Sequence, residues 1–366
     1  MIRFVTFFSI LLFVGYFIFI RVNNIWKASV DTGKPLEYGE NFQTQNESES
    51  KVTESVELEA EYSAWIPWWN DKTALVSLEK AKNKLSTISP VWYKLNEQSE
   101  IEEIQSSNKQ NILNVATASG LAIIPTVAND FDSERTSIFL RNEDLVVSGT
   151  DKLIETALSN GYQGWDLDWE EVSEDDKESF TKYVSYLAQR LHEKDLKLSV
   201  TVHAQTGKLT DWEGSRGQDW PGLSRQADYI RIMAYDFHNS ETEPGPITPP
   251  EILGDVLKFA ISVIPKKKIV LGLPTYGYDW GENSVNSYQY VDILNLIEEY
   301  DGFYEYDPEL MALKGNYIAN EVEHTLWFED RKSIVEKISM ARSFGIYKFA
   351  FWSLGGEDSR IWESEI

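Results

Sequence analysis

Three carboxylic acids, Asp166, Asp168 and Glu170, stand at two-residue intervals in the run GWDLDWE (164–170), separated by Leu167 and Trp169. Successive side chains of a β-strand point to opposite faces, so this spacing gathers all three acids on one face. Crowded like charges raise at least one pKa, which lets one acid keep its proton near neutral pH and act as a proton donor. Acids coupled in this way titrate as a group. The alternative is an outward-facing acidic strand end, ion-paired or solvated. It fits the surrounding apolar sequence badly, because the outer faces of barrel strands are covered by helices and an unpaired buried charge is costly.

Acids on a strand end need a frame to hold them, and the chain from Tyr62 onward supplies one. Short apolar or aromatic runs alternate with amphipathic stretches, the pattern of βα units around a parallel sheet. The runs that read as strands are 63–69, 88–95, 121–128, 164–170, 197–204, 229–236, 268–278 and 346–354. These predict a closed TIM (β/α)8 barrel over 62–366, with the acids at the C-terminal end of the fourth strand, where such barrels build their active sites. Strands covered on both faces explain why the runs are nearly continuous in apolar residues. KESFTKYVSYLAQRLHEK and DRKSIVEKISMARSFG carry apolar residues at helical spacing, and Gly345 is placed to stop the second in a left-handed turn. The interval from about Asp279 to Gly345 is longer than one connection and predicts a small excursion over the barrel mouth. EPGPITPP (243–250) marks a long loop after the sixth strand.

NGYQGWDLDWEEV (160–172) resembles the signature of glycoside hydrolase family 18, the chitinase-like enzymes, whose pattern is D-x-x-D-x-D-x-E; three of the four acidic positions match. MAYD (233–236) is similar to the family's Met-x-Tyr-Asp at the sixth strand, and FWSLGGED (351–358) to its eighth-strand tryptophan segment. SPVWYKL, IIPTVAN, PGPITPP, LGLPTYGYDW and LWFEDRKSI most resemble the branch that holds spore-cortex and peptidoglycan-directed N-acetylglucosaminidases. The resemblance implies a retaining, substrate-assisted hydrolysis of β-linked N-acetylglucosamine glycans, peptidoglycan or chitin-like, a mechanism outside the usual two-carboxylate scheme. Glu170 would be the acid and then the base, Asp168 would support the substrate's 2-acetamido group, Asp166 would modulate the charge on Asp168, and Tyr235 would hold the acetamido oxygen. Gln163 departs from the pattern at its first acid, which implies a missing outer carboxylate and an altered pH profile. Glu171 and Val172 replace the Tyr-Pro common after the catalytic acid of chitinases.

Aromatic rings at predicted strand ends are candidate sugar platforms, since sugars stack their C–H faces on such rings. Trp352 is the first of these by its motif. For Trp65, Trp68, Trp69 and Trp280, packing is an equal reading, and Trp65 is taken as a substrate-binding candidate. Asp236 and Tyr278 are further candidates for contacts with the bound sugar; Asp236 would serve equally as a cap and Tyr278 as core packing. The four histidines, His192, His203, His238 and His324, are scattered without metal-ligand spacing, and no phosphate-binding glycine loop follows a strand, so neither metal nor cofactor is expected.

The remaining features speak to location and partners. Phe4 to Ile20 is an uncharged apolar run bracketed by Arg3 and Arg21. It predicts a membrane-entering segment over 1–22, either an uncleaved signal anchor or a signal peptide, followed by an acidic disordered tether over 23–61. Either reading puts the barrel outside the cytoplasm. With 59 acidic against 34 basic side chains, the net charge of −25 repels nucleic acid. No cysteine is present, so no disulfide framework and no thiol nucleophile exist. The expected partner is a polysaccharide containing N-acetylglucosamine, met by a monomer tethered to the membrane. A glycan-binding protein without catalysis is the rival reading, because fold alone does not guarantee activity; the retained Glu170, Asp168 and Tyr235 argue against it.

Overall fold

The computed structural model describes residues 59–208, 212–282 and 284–363. The predicted anchor, 1–22, and the predicted tether up to residue 58 lie outside the described residues. Among the described residues no helix is long and apolar enough to cross a membrane.

The strands run in chain order as β1 (Glu61–Pro67), β2 (Thr87–Leu95), β3 (Ile101–Glu103), β4 (Ala122–Ile123), β5 (Thr126–Ala128), β6 (Gly164–Asp168), β7 (Lys197–His203) and β8 (Tyr229–Met233). They continue as β9 (Ile269–Pro274), β10 (Tyr276–Trp280), β11 (Val285–Gln289), β12 (Phe303–Asp307), β13 (Ala312–Ala319), β14 (Val322–Phe328) and β15 (Lys348–Trp352). A parallel ladder joins β1, β15, β9, β8, β7, β6, β5 and β2 in that order, and parallel pairing of β1 with β2 closes the ring. Each predicted barrel strand takes its place in this ring. The third is broken: Pro125 separates β4 from β5, since proline has no N–H for the ladder. Its carbonyl still serves, accepting from Asp166 N–H at 2.9 Å.

Helices cover the outer face. Lys177–His192 buries Phe180, Tyr183, Val184, Leu187, Ala188 and Leu191 on one stripe. Arg331–Ser343 starts in a capping box between Asp330 and Ser333, which satisfies backbone donors the first turn leaves open. The chain leaves that helix through Gly345 at φ +82°, as its position predicted.

Two expectations need correction. The predicted seventh strand, 268–278, is two strands of different sheets. The chain leaves the barrel at Thr275, whose N–H and hydroxyl bond Trp352 O at 2.9 Å and Ser353 O at 2.7 Å, and β10 then joins another sheet. The excursion accordingly begins at Tyr276 and ends at Phe328, earlier at both ends than predicted. It is a five-stranded antiparallel sheet, ordered β11-β10-β14-β13-β12, packed on the helix Tyr290–Glu299 around Ile293, Leu313, Tyr317, Leu326 and Phe328.

A buried ion pair fastens this insertion to the barrel's last helix. Lys337 Nζ donates to Glu329 Oε2 at 2.5 Å and to Met311 O at 2.6 Å, with both charged side chains fully buried. Removing one partner of such a pair strands the other charge in a low-dielectric interior. Lys337→Met is therefore expected to lower the unfolding free energy by about 3–5 kcal/mol, and the double change with Glu329→Gln to recover much of that loss, both read from urea denaturation midpoints.

Candidate active site

Parallel register sets the three acids. Asp166 lies opposite Thr126 of β5 and Ser199 of β7, and Asp168 opposite Ala128 and Thr201. The alternate residues point to the helices: Trp165 Nε1–H donates to Leu153 O at 3.0 Å, and Trp169 stacks on Phe180 and Tyr183. Asp166 and Asp168 thus face the barrel interior. Asp166 has no solvent exposure. Its carboxylate accepts from Trp65 Nε1–H, Thr126 Oγ1–H and Thr201 Oγ1–H, each at 3.0 Å, and Arg231 Nη1 lies 3.4 Å away.

Trp65 is therefore not a sugar platform. It is fully buried within the barrel, its N–H spent on Asp166. Trp352 lines the cavity instead, its ring meeting Trp65 edge-on at 5.9 Å and the exposed Trp69 at 6.4 Å.

Asp168 is 7% exposed, and its Oδ1 has no hydrogen-bond partner among the described residues. Burial, reinforced by the charge on Asp166 and opposed by Arg231, pushes its carboxyl from the ordinary 3.8 up to about 8. Glu170 stands just past the end of β6. Burial raises its carboxyl well above the usual range, and Asp168, Asp236 and Glu171 add like-charge repulsion. Its backbone is clamped by Asn129, which accepts from Glu170 N–H at 3.0 Å and donates to Glu170 O at 2.6 Å. Glu171 follows in the left-handed region at φ +53°, and this turns the chain sharply at the barrel rim.

These groups open into a cavity of about 620 Å³ lined by Asp168, Glu170, His203, Tyr235, Asp236 and Trp352, with Phe131, Trp212 and Glu241 among its other walls. Tyr235 lies against β9, where Gly272 makes room: a Cβ there would meet Ile232 O at 2.7 Å and Tyr235 Cε1 at 3.2 Å. Asp236, also left-handed at φ +60°, accepts hydrogen bonds from Tyr276 and, at 3.1 Å, from Tyr278. Tyr278 is not among the cavity-lining residues; its hydroxyl is turned to Asp236 and holds that aspartate. Gln163 sits at the opposite end of β6, where its amide accepts from Ile123 N–H and donates to Gly161 O, each at 2.6 Å. Seven positions along the chain, roughly 20 Å if fully extended, separate it from Glu170.

Sequence reasoning passed over His203, Asn129, Tyr276, Trp212 and Phe131. The signal for His203 and Asn129 was positional: each lies at or just past the C-terminal end of a barrel strand, where site residues gather. Among the described residues no three His, Asp or Glu side chains are placed to hold a metal ion.

The raised pKa of Asp168 also sets a pH dependence of stability. The folded chain holds a proton that the unfolded chain releases above about 4, so this contribution is complete below that pH and is lost as pH rises to about 8. Asp168→Asn is expected to flatten that decline, seen by comparing urea midpoints across this pH window.

Comparison with known proteins agrees with this geometry. Residues 42–357 match the family model described as Glycosyl hydrolases family 18. The glycosylase YvbX of Bacillus subtilis (strain 168) is 27% identical over 241 residues, covering 64% of this chain and 70% of that protein. A cortical fragment-lytic enzyme of Bacillus anthracis is 27% identical over 255 residues, covering 67% of this chain but only 59% of its own length. The crystal structure of the Bacillus cereus spore cortex-lytic enzyme SleL superposes with a TM-score of 0.76 at 22% identity, over 83% of this chain and 73% of that one. An acid-lined cleft at the mouth of a (β/α)8 barrel, with the matching motif on its fourth strand, makes this chain a member of glycosyl hydrolase family 18, built as a glycosidase.

Proposed function

We propose that the protein hydrolyses β-linked N-acetylglucosamine glycans by a retaining, substrate-assisted mechanism. One observation carries this reading: Glu170, with raised proton affinity, shares a cavity with the unpartnered carboxyl oxygen of Asp168 and with Tyr235. In the first step Glu170 gives its proton to the glycosidic oxygen as the C1–O bond breaks. The carbonyl oxygen of the substrate's own acetamido group bonds to C1, with Asp168 facing the acetamido nitrogen and Tyr235 its oxygen. In the second step Glu170 takes a proton from water, the water oxygen attacks C1, and the ring formed by the acetamido group reopens with net retention. Trp352 offers its face to the sugar and Asp236 a polar contact beside it.

Peptidoglycan is the polymer we favour, because several relatives are named for lysis of spore cortex. We place the enzyme outside the cytoplasm, held to the membrane through the apolar run Phe4–Ile20. The sequence motif and the depth of the acids in the cavity support hydrolysis over glycan binding alone.

The test is release of reducing ends from purified peptidoglycan and from N-acetylglucosamine oligomers by the full-length chain and its Glu170→Gln variant. The parent is expected to cleave and the variant to lose about 10²- to 10⁴-fold of the rate. Retention of glycan without cleavage by the parent would replace hydrolysis with binding. Because Glu170 must be protonated in the first step, activity is expected to fall as pH rises through its raised pKa.

A further inference from the structure

The mechanism above leaves one partly buried titratable side chain of the cavity unused. His203 ends β7, and its Nε2 lies 3.3 Å from Glu170 Oε2. That nitrogen is closed off from solvent and has no hydrogen-bond partner among the described residues. The ring is held in place. Trp212 stands edge-on to it at 4.6 Å, with planes at 82°. Gln218 accepts from His203 N–H at 2.8 Å and donates to Trp169 O at 2.9 Å, which ties the end of β7 to the end of β6 beside the acid.

Two assignments of the imidazole proton are open, and their costs differ. With Glu170 holding its own proton, a proton on Nε2 would put a second hydrogen into the 3.3 Å contact with that carboxyl. A bare Nε2 is an acceptor, and the Glu170 carboxyl, 3.3 Å away, is able to offer it a proton. We propose that His203 is a positioning residue for the acid: its bare Nε2 accepts the Glu170 O–H, and its own proton stays on Nδ1. This inference rests on the reading of Glu170 as the proton donor.

The other ionisable groups facing Glu170 all carry negative charge when ionised: Asp168 on β6, Glu171 next in the chain, and Asp236 and Tyr235 just past β8. They strengthen the hold of Glu170 on its proton but give that proton no direction. Burial keeps the imidazole neutral by lowering its pKa to about 4, so it remains an acceptor at neutral pH. The proton moves from Glu170 to the glycosidic oxygen and returns from water; His203 ends each step unchanged.

Ring-nitrogen ¹⁵N spectra of the full-length chain at neutral pH test this without any activity, with His203 assigned by the signal that Histidine-to-glutamine replacement at this position, His203→Gln, removes. A bare Nε2 and a protonated Nδ1 are expected; a proton on Nε2 overturns the proposal. The same variant is then compared with the parent in kcat/KM against pH. The glutamine amide N–H favours the carboxylate, so the alkaline limb is expected to move about one pH unit lower. A limb that stays in place while only KM changes would mean that His203 merely shapes the cavity, and overturns the proposal. If the spectra show the bare Nε2 and the parent cleaves no glycan, the pairing stands and the hydrolytic reading fails.

Discussion

A carboxylate closed off from bulk solvent at the centre of a barrel is the constraint to which the rest of this molecule answers. Burying an isolated charge is so unfavourable that it must be paired and hydrogen-bonded or lose its charge. Asp166 meets this demand with groups drawn from across the ring: Trp65 from β1, Thr126 from β5, Thr201 from β7 and Arg231 from β8. Arg231 in turn donates to Ser89 Oγ of β2 at 2.6 Å and stacks its guanidinium over Trp65 at 5.2 Å. Hydrogen bonds to charged groups contribute about 1.5–3 kcal/mol each. These form only when the sheet closes with each strand in register, so the network ties the chemistry of the site to the closure of the barrel.

Hydrogen-bond donors thin out from this centre toward the mouth. Asp166 uses up the nearby donors, and Asp168, one pleat higher, is left with burial and a negative neighbour, which together favour its proton. Glu170 lies beyond the regular strand, where Asn129 rather than a β-ladder fixes its backbone. Three acids at identical spacing therefore occupy three different electrostatic environments, graded by depth.

The rim holds its shape by less regular means. Asp130, Phe131, Glu171 and Asp236 adopt positive φ just past the ends of β5, β6 and β8, conformations that L-residues visit rarely and that persist where surrounding structure fixes them. For Asp236 that surrounding structure comes from the first strand of the insertion, through Tyr276 and Tyr278. The insertion, stapled to the last helix by Lys337 and Glu329, thus reaches the cavity through one aspartate.

Much of this was legible in the linear chain because it depends on local periodicity. The alternation of Asp166, Leu167, Asp168, Trp169 and Glu170 assigned faces, the apolar runs assigned barrel strands, and Gly345 assigned a helix stop. Each follows from backbone geometry that a few consecutive residues determine. What the chain alone left undecided were contacts between residues far apart in sequence: Trp65 on Asp166 across 101 positions, Tyr278 on Asp236 across 42, and His203 beside Glu170. An indole or a phenol has the same type whether it meets a sugar or a buried carboxylate. Only the closed barrel, by fixing which ring stands above which acid, decides between the two, because burial and hydrogen-bond partners belong to the fold and not to the residue.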